Sequence, residues 1–317
     1  MVAPIGDGRV VRHGPFDLDR HGERHGRQGE ERFSVCELAH RRSRPVGEAS
    51  LTLLSGRRAE PVERALCVFG CLFAHRPPPP TRDEASLHWV HVACSSLYTL
   101  IQCHKKRGRV AMDEMGVIAK MRGIAVHDGW KPYRSYDVAH QLCNAHHLRE
   151  LEGVGVVWDQ GWANAMIDLL IEAKEAVEEV RAAGRDALDQ STLHSIRVRY
   201  GMLVAKGWAA NPAPEVGKRH GVHKKAANLL VRLDTQRADV LRFATDFRAS
   251  WDNNQAERDV RMVKLQQKIS GSWRTLAGAR AYCAIRSYIS TMRKHDVDVL
   301  GGLRHMFEGH AWLPVGT

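Results

Sequence analysis

The 317-residue chain is 44% hydrophobic, enough for a buried core in one or two domains and too much for a chain disordered throughout. Lys and Arg outnumber Asp and Glu by 47 to 36, a net charge of +11 that favours a polyanionic partner such as nucleic acid. No apolar run reaches the roughly eighteen residues of a membrane span, and the start, Met1-Val2-Ala3-Pro4-Ile5-Gly6-Asp7, has no signal-peptide pattern, so neither secretion nor membrane insertion is expected.

Residues 1–80 hold thirteen Arg and no Lys, show no helix or strand period, and end in Pro77-Pro78-Pro79-Pro80, which predicts a poorly structured arginine-rich arm. Cys67, Cys71 and His75 are spaced for one helix face, but three candidate ligands without a fourth read as apolar cysteines rather than a zinc site. The seven cysteines (36, 67, 71, 94, 103, 143, 283) are odd in number and irregularly spaced, which suits reduced thiols in a cytoplasm.

From Leu87 the texture changes. The runs Leu87 to Cys94 and Tyr98 to Cys103 predict an antiparallel hairpin about Ser95-Ser96-Leu97, followed by a short helix from Gly108 to Met115. Gly123 to Gly129 is an apolar strand broken at glycine, with Asp128 at its carboxyl end, where mixed α/β sheets keep their sites. Gln141 to His146 predicts another strand leading into a helix from His147 to Leu151.

The next hundred residues read as helical. Trp162, Ala165, Met166, Leu169, Leu170, Ala173, Val177 and Val180 form one apolar stripe on a helix ending at Gly184; further helices span Asp186 to Ala205 and about 225–247. Between those two helices, Lys218, Arg219, His220, His223, Lys224 and Lys225 make a basic loop, a candidate phosphate contact or a solvated charge run. Asp252 or Asn253 then caps a helix carrying Glu257, and two closing helices span Ala277 to Lys294 and Val297 to Phe307. Ala281, Ala284, Ile285, Tyr288, Ile289 and Met292 supply the apolar face of the first. From Arg248 to Lys294 ten cations, Arg258, Arg261, Lys264, Lys268 and Arg274 among them, stand against Asp252, Glu257 and Asp259, a phosphate-facing composition.

Asp128 and Glu257 are the residue types that hold divalent metal against a phosphate, because Mg²⁺ prefers hard oxygen ligands. Their separation in sequence leaves the pairing open, and on residue type alone a structural acid is the default reading for each. Asp113 and Glu114 read as solvated helix charges. His127, Cys143, His146 and His147 offer metal-ligand atoms without zinc-finger spacing, so packing or supporting roles are expected. Trp130 and Tyr133 read either as stacking platforms for an unpaired base or as buried aromatics.

Three blocks resemble the insertion sequence 66 family of transposases over roughly residues 83–307. They are Leu87 to Val92 with Lys106 to Met112; Val126-His127-Asp128-Gly129-Trp130-Lys131-Pro132-Tyr133 through His140 to Leu151; and Ala227 to Leu230 through Asp252 to Arg258, Lys268 to Gly271 and Ile285 to Lys294. The resemblance implies an α/β, ribonuclease-H-like mixed sheet with a large all-helical insertion and a helical C-terminus. Its implied parts are the arm at 1–80, the first catalytic segment at 81–150, the insertion at 151–247, and the last catalytic helix with the closing helices at 248–317. It implies an Asp, Asp, Glu triad binding two Mg²⁺ or Mn²⁺ ions, with Asp128 second and Glu257 third. It further implies DNA cleavage and strand transfer on element ends and target, a homo-oligomer on DNA, and a bacterial cytoplasm near the nucleoid.

The chain departs from the family's pattern at the first acid, which belongs in an Asp-Glu-Thr-Gly-like segment well before the Trp-His-Val block. Here Asp83-Glu84 is followed by Ala85-Ser86, and Trp89 comes six positions after Asp83. Asp83 is the candidate first acid, and the proline run before it predicts a truncated or replaced central strand. Two expectations follow: a transposase with impaired chemistry, or a catalytically inactive remnant that still binds DNA. A metal-dependent nuclease on the same fold is a third reading.

Overall fold

A computed structural model of the protein describes residues 66–73, 88–213, 221–271, 273 and 275–314. They form a mixed α/β structure. One sheet contains β1 (Leu66–Phe73), β2 (His88–Cys94), β3 (Thr99–His104), β4 (Ile124–His127) and β5 (Ala139–Leu142), in the spatial order β3-β2-β1-β4-β5. β2 runs antiparallel to both β1 and β3, whereas β1 with β4 and β4 with β5 are parallel. The carboxyl ends of four strands and the amino end of β2 therefore share one edge.

Residues 66–73, expected inside an unpatterned arm, form the central strand, so that strand is present rather than truncated. Leu-Cys-Val-Phe-Gly-Cys-Leu-Phe is a continuous apolar run, and such runs carry neither the period of two nor the period of 3.6 by which elements are recognised. Cys67 and Cys71 lie on this strand and not on a helix face, while His75 is outside the described residues.

The expected hairpin is β2 and β3. Its turn closes because the Ser95 hydroxyl accepts from the N–H groups of Leu97 (3.2 Å) and Tyr98 (3.1 Å). Alternate residues then sort to opposite faces. Val90, Val92, Cys94, Ile101 and Cys103 pack with Ala256, Val260, Val263, Ala279 and Cys283, whereas Ala93, Leu100 and Ala125 pack with Met112, Met115, Tyr133 and Tyr136 on the other side.

The helices are α1 (Arg109–Met115), α2 (Asn144–Trp158), α3 (Gly161–Ala182), α4 (Gln190–Ala210), α5 (Gly221–Thr235), α6 (Asn254–Ser270), α7 (Leu276–Lys294) and α8 (Val299–Phe307), with single turns at Arg237–Val240 and Arg242–Thr245. The stripe read on α3 is its buried face, except that Ala165 is half-buried and Ala163 is buried instead. Leu229, Leu230 and Leu233 of α5 and Leu203 and Val204 of α4 join it in a core that reaches Ile124, Val126 and Leu142 of the sheet. The third expected helix ends at Thr235, and its tail breaks into the two single turns. No helix of the described residues is long and apolar enough to cross a membrane.

α7 corrects the sequence reading of its face. Ala281, Ile285 and Ile289 are only half-buried; Ser287 and Thr291 meet the backbone of β3, Ser290 meets the Thr99 side chain, Cys283 packs on the hairpin, and Ala284, Tyr288 and Met292 are buried as expected. β3 is an edge strand with N–H groups that no sixth strand satisfies. Ser287 Oγ accepts from Ile101 N–H at 2.8 Å and Thr291 Oγ1 from Thr99 N–H at 3.2 Å. Four helical residues rise about 6 Å and two strand residues about 6.7 Å, so hydroxyls one turn apart meet alternate strand amides. Lys294 adds three hydrogen bonds, to the carbonyls of Ser95 and Tyr98 and to the Thr99 hydroxyl.

Removing these hydroxyls leaves buried amides unpaired. Ser287→Ala and Thr291→Val should each lower the unfolding free energy by about 1–3 kcal/mol, read from urea midpoints, whereas Ser270→Ala at the exposed end of α6 should stay within about 0.5 kcal/mol of the parent. Equal midpoints for all four proteins would show that the edge is held by apolar packing instead.

Candidate functional site

β4 and β5 end side by side, and three hydrogen bonds turn their ends into a junction. Cys143 N–H donates to His127 O (2.8 Å), Asn144 N–H to Trp251 O (3.1 Å), and Asn253 N–H to Cys143 Sγ (3.4 Å). The first turns of α2 and α6 are thereby held beside Asp128, the residue after β4. Helix amino ends carry partial positive charge, which favours anions there.

Asp128 is half-buried and its Oδ1 accepts from Trp130 N–H at 3.0 Å. The turn requires Gly129, whose φ of 87° strains any other residue. His127 before it is 0% exposed and its tautomer is set by its partners. Nδ1 accepts from Gly129 N–H (3.0 Å), so Nε2 carries the proton and donates to His140 Nδ1 (3.0 Å); His140 in turn presents Nε2–H to Tyr136 O (3.3 Å). Burial lowers the His127 pKa to about 3, and burial also lowers that of His140, so both rings are neutral.

Glu257 stands on the first turn of α6. Asn253 occupies the cap position but makes no side-chain capping bond; the Asp252 carboxylate accepts from Asn254 N–H (2.9 Å) instead. Glu257 Oε1 lies 3.3 Å from His146 Nε2 and 3.4 Å from an Arg149 amino group. Burial holds His146 below its ordinary pKa, with Glu257 and Asp128 both opposing the shift, so the His146 contact is a neutral ring beside a carboxylate rather than an ion pair. Glu257 touches His146 directly, and the bonds from Cys143 to His127 and from Asn253 to Cys143 hold the start of its helix at the strand end that Asp128 follows.

α6 places cations on the same stripe as its acid. Glu257, Arg261, Lys264 and Lys268 follow one another at intervals of four, three and four, which is one helix face. Arg258, Arg261, Lys264 and Lys268 are exposed, and Val260 and Val263 turn inward. Lys224 and Lys225 are exposed on the first turns of α5. Asp83, Lys218, Arg219 and Arg274 lie outside the described residues.

The parallel register sets Leu66 against Ala125 and Cys67 against Val126; continued by two residues it brings Phe69 level with Asp128. No position of β1 is a carboxylate. Among the described residues, no group of three or more His, Cys, Asp or Glu is arranged to hold a metal ion. The donor chemistry at the edge is nonetheless two hard carboxylates, which suits Mg²⁺ or Mn²⁺. Cys143 does not add a thiolate, because burial raises its pKa to about 11. Tyr133 is 0% exposed and packs against His127 with ring centroids 4.8 Å apart, which removes it as a base-stacking platform. Trp130 is half-buried. His146 and Arg149 were legible only as members of a motif, since nothing in their spacing ties them to a residue on α6.

A sequence model described as Transposase IS66 family matches residues 76–281, a span that contains Asp83, Asp128 and Glu257 and leaves β1 outside it. No curated protein and no solved structure matches the chain.

His127, His147 and His91 are buried neutral rings with pKa values lowered to about 3, 3 and 4 by desolvation. In the unfolded chain they titrate near 6.5, so between that value and about 4 the unfolded state binds more protons and stability falls with falling pH. The loss should approach about 1.4 kcal/mol per pH unit for each ring, read from urea midpoints between pH 7.5 and 5. His147→Gln should make that slope shallower by about one proton; an unchanged slope would place the acid sensitivity elsewhere.

Proposed function

The chain belongs to the IS66 family of transposases, and from that premise we propose that it is a DDE-type enzyme acting on DNA by metal-dependent phosphodiester cleavage and strand transfer. The observation that carries this reading is the hydrogen-bonded junction that holds the first turn of α6, with Glu257, at the end of β4, where Asp128 stands. The order β3-β2-β1-β4-β5 with only β2 reversed supports a ribonuclease-H-like sheet, with α3 to α5 as a helical insertion between the two acids. Asp83, on the β1 to β2 connection, is the remaining candidate for the first acid.

Divalent cations, two in the expected arrangement, supply charge compensation on the attacking and leaving oxygens when bound, and Asp128 and Glu257 with Asp83 would hold them. Trp130 N–H fixes the orientation of the Asp128 carboxylate. His146, whose pKa burial lowers, stands against Glu257 at 3.3 Å. Arg261, Lys264 and Lys268 extend from Glu257 as a row for backbone phosphates, and Arg258, Lys224 and Lys225, with Lys218, Arg219 and Arg274, enlarge the basic surface. DNA ends and target DNA are the partners this surface fits, with a homo-oligomer assembled on them.

A second reading rests on one observation, the absence of a carboxylate on β1 level with Asp128. On that reading the chain is a DNA-binding remnant with two of three acids. Incubation with Mg²⁺ or Mn²⁺ and DNA bearing the element's ends separates the two. Nicking or joining that disappears in Asp83→Asn, Asp128→Asn and Glu257→Gln, with DNA affinity retained in all three, supports the enzyme. Salt-dependent binding without cleavage by the parent chain supports the remnant.

A further inference from the structure

β3 leaves the sheet at His104, on the edge that holds Asp128, and runs through Lys105-Lys106-Arg107-Gly108 into α1. His104 anchors this loop, its Nδ1 accepting from Lys106 N–H at 3.0 Å and its Nε2 lying 2.9 Å from Glu114. Gly108 then turns the chain with a φ of 97°. The loop thus presents Arg107 to the amino end of β2 and to the segment that follows Asp128.

The Arg107 guanidinium lies over the Trp89 ring at 4.6 Å and over the Trp130 ring at 4.2 Å. Its neighbour Arg109 has a carboxylate, Asp113, at 3.5 Å; Arg107 is exposed and has none within ion-pair distance among the described residues. Stacking uses the faces of the guanidinium and leaves its in-plane N–H donors at the rim, the arrangement that grips two phosphate oxygens. Two indoles also restrict a side chain that is otherwise free, which lowers the entropy lost on binding. Trp130 is joined to the site directly, since its backbone N–H donates to Asp128 Oδ1.

We propose that the Trp89, Arg107 and Trp130 stack is an anchor for a DNA backbone phosphate flanking the one that is cut, with Arg107 as the phosphate-binding group. The proposal rests on the DNA-directed reading above. It adds a fixed cation on the strand side of the site, opposite in origin to the row on α6, so that the backbone is held from two elements across the candidate carboxylates.

The test uses the full chain and a fluorescein-labelled DNA duplex of arbitrary sequence, followed by fluorescence anisotropy across a NaCl series. Arg107→Ala should weaken binding about tenfold and reduce the steepness of log affinity against log salt by about one. Arg107→Lys should keep the slope and lose affinity, because a lysine supplies charge without the stacked fork. On a duplex bearing the element's ends, which fixes the register, replacing single phosphates by neutral methylphosphonates should locate one position at which the parent and Arg107→Ala bind alike. The anchor is overturned if Arg107→Ala binds as the parent does while Lys264→Ala weakens binding, an outcome that leaves the DNA-directed reading standing. A lowered melting temperature with an unchanged salt slope also overturns it, assigning the stack to loop support. A parent chain with no salt-dependent binding removes the DNA-directed reading and the anchor together.

Discussion

Everything at the candidate site depends on how two parallel strands end. β4 and β5 stop level with each other, and the backbone groups just past them have no ladder partners left. Cys143 N–H turns to His127 O, Asn144 N–H to Trp251 O, and Asn253 N–H to Cys143 Sγ. These three bonds tie the starts of α2 and α6 to the strand ends, and with them His146 and Glu257. The position of Glu257 relative to Asp128 is therefore a consequence of backbone accounting at a strand end.

Burial and charge are divided sharply across that junction. Behind it, His127, His140 and His147 are packed and neutral, their tautomers assigned by backbone and side-chain partners. A protonated ring there would bring an uncompensated charge into a dry core. In front of it, Glu257 shares one face of α6 with the exposed cations Arg261, Lys264 and Lys268.

The other end of the molecule is held by a different device. α7 reaches the sheet with serine and threonine rather than with its more hydrophobic side, because β3 offers unpaired amides that an aliphatic side chain cannot satisfy and a hydroxyl can. Asp259 of α6 joins the same network through Thr99 (3.0 Å) and Ser290 (2.8 Å), tying the helix of Glu257 to the edge strand as well as to the strand ends. The hydrophobicity pattern of α7 pointed the other way, since periodicity weighs transfer energy and does not register an edge strand's hydrogen-bonding demand.

Much of the architecture was legible from residue order alone. The hairpin, the strand closed by Gly129, the α3 stripe and the capped helix with Glu257 are local patterns, and each is stabilised mainly by contacts the pattern itself describes. The motifs that carry Asp128 and Glu257 were equally plain. What sequence left undecided is non-local: that Leu66–Phe73 is the central strand, that its apolar residues rather than a carboxylate come level with Asp128, that Tyr133 is sealed inside, and that His146 and Arg149 meet Glu257. Those facts depend on which elements become neighbours. Local propensity specifies an element, whereas neighbourhood is set by pairing of backbone groups and burial of faces contributed from distant parts of the chain.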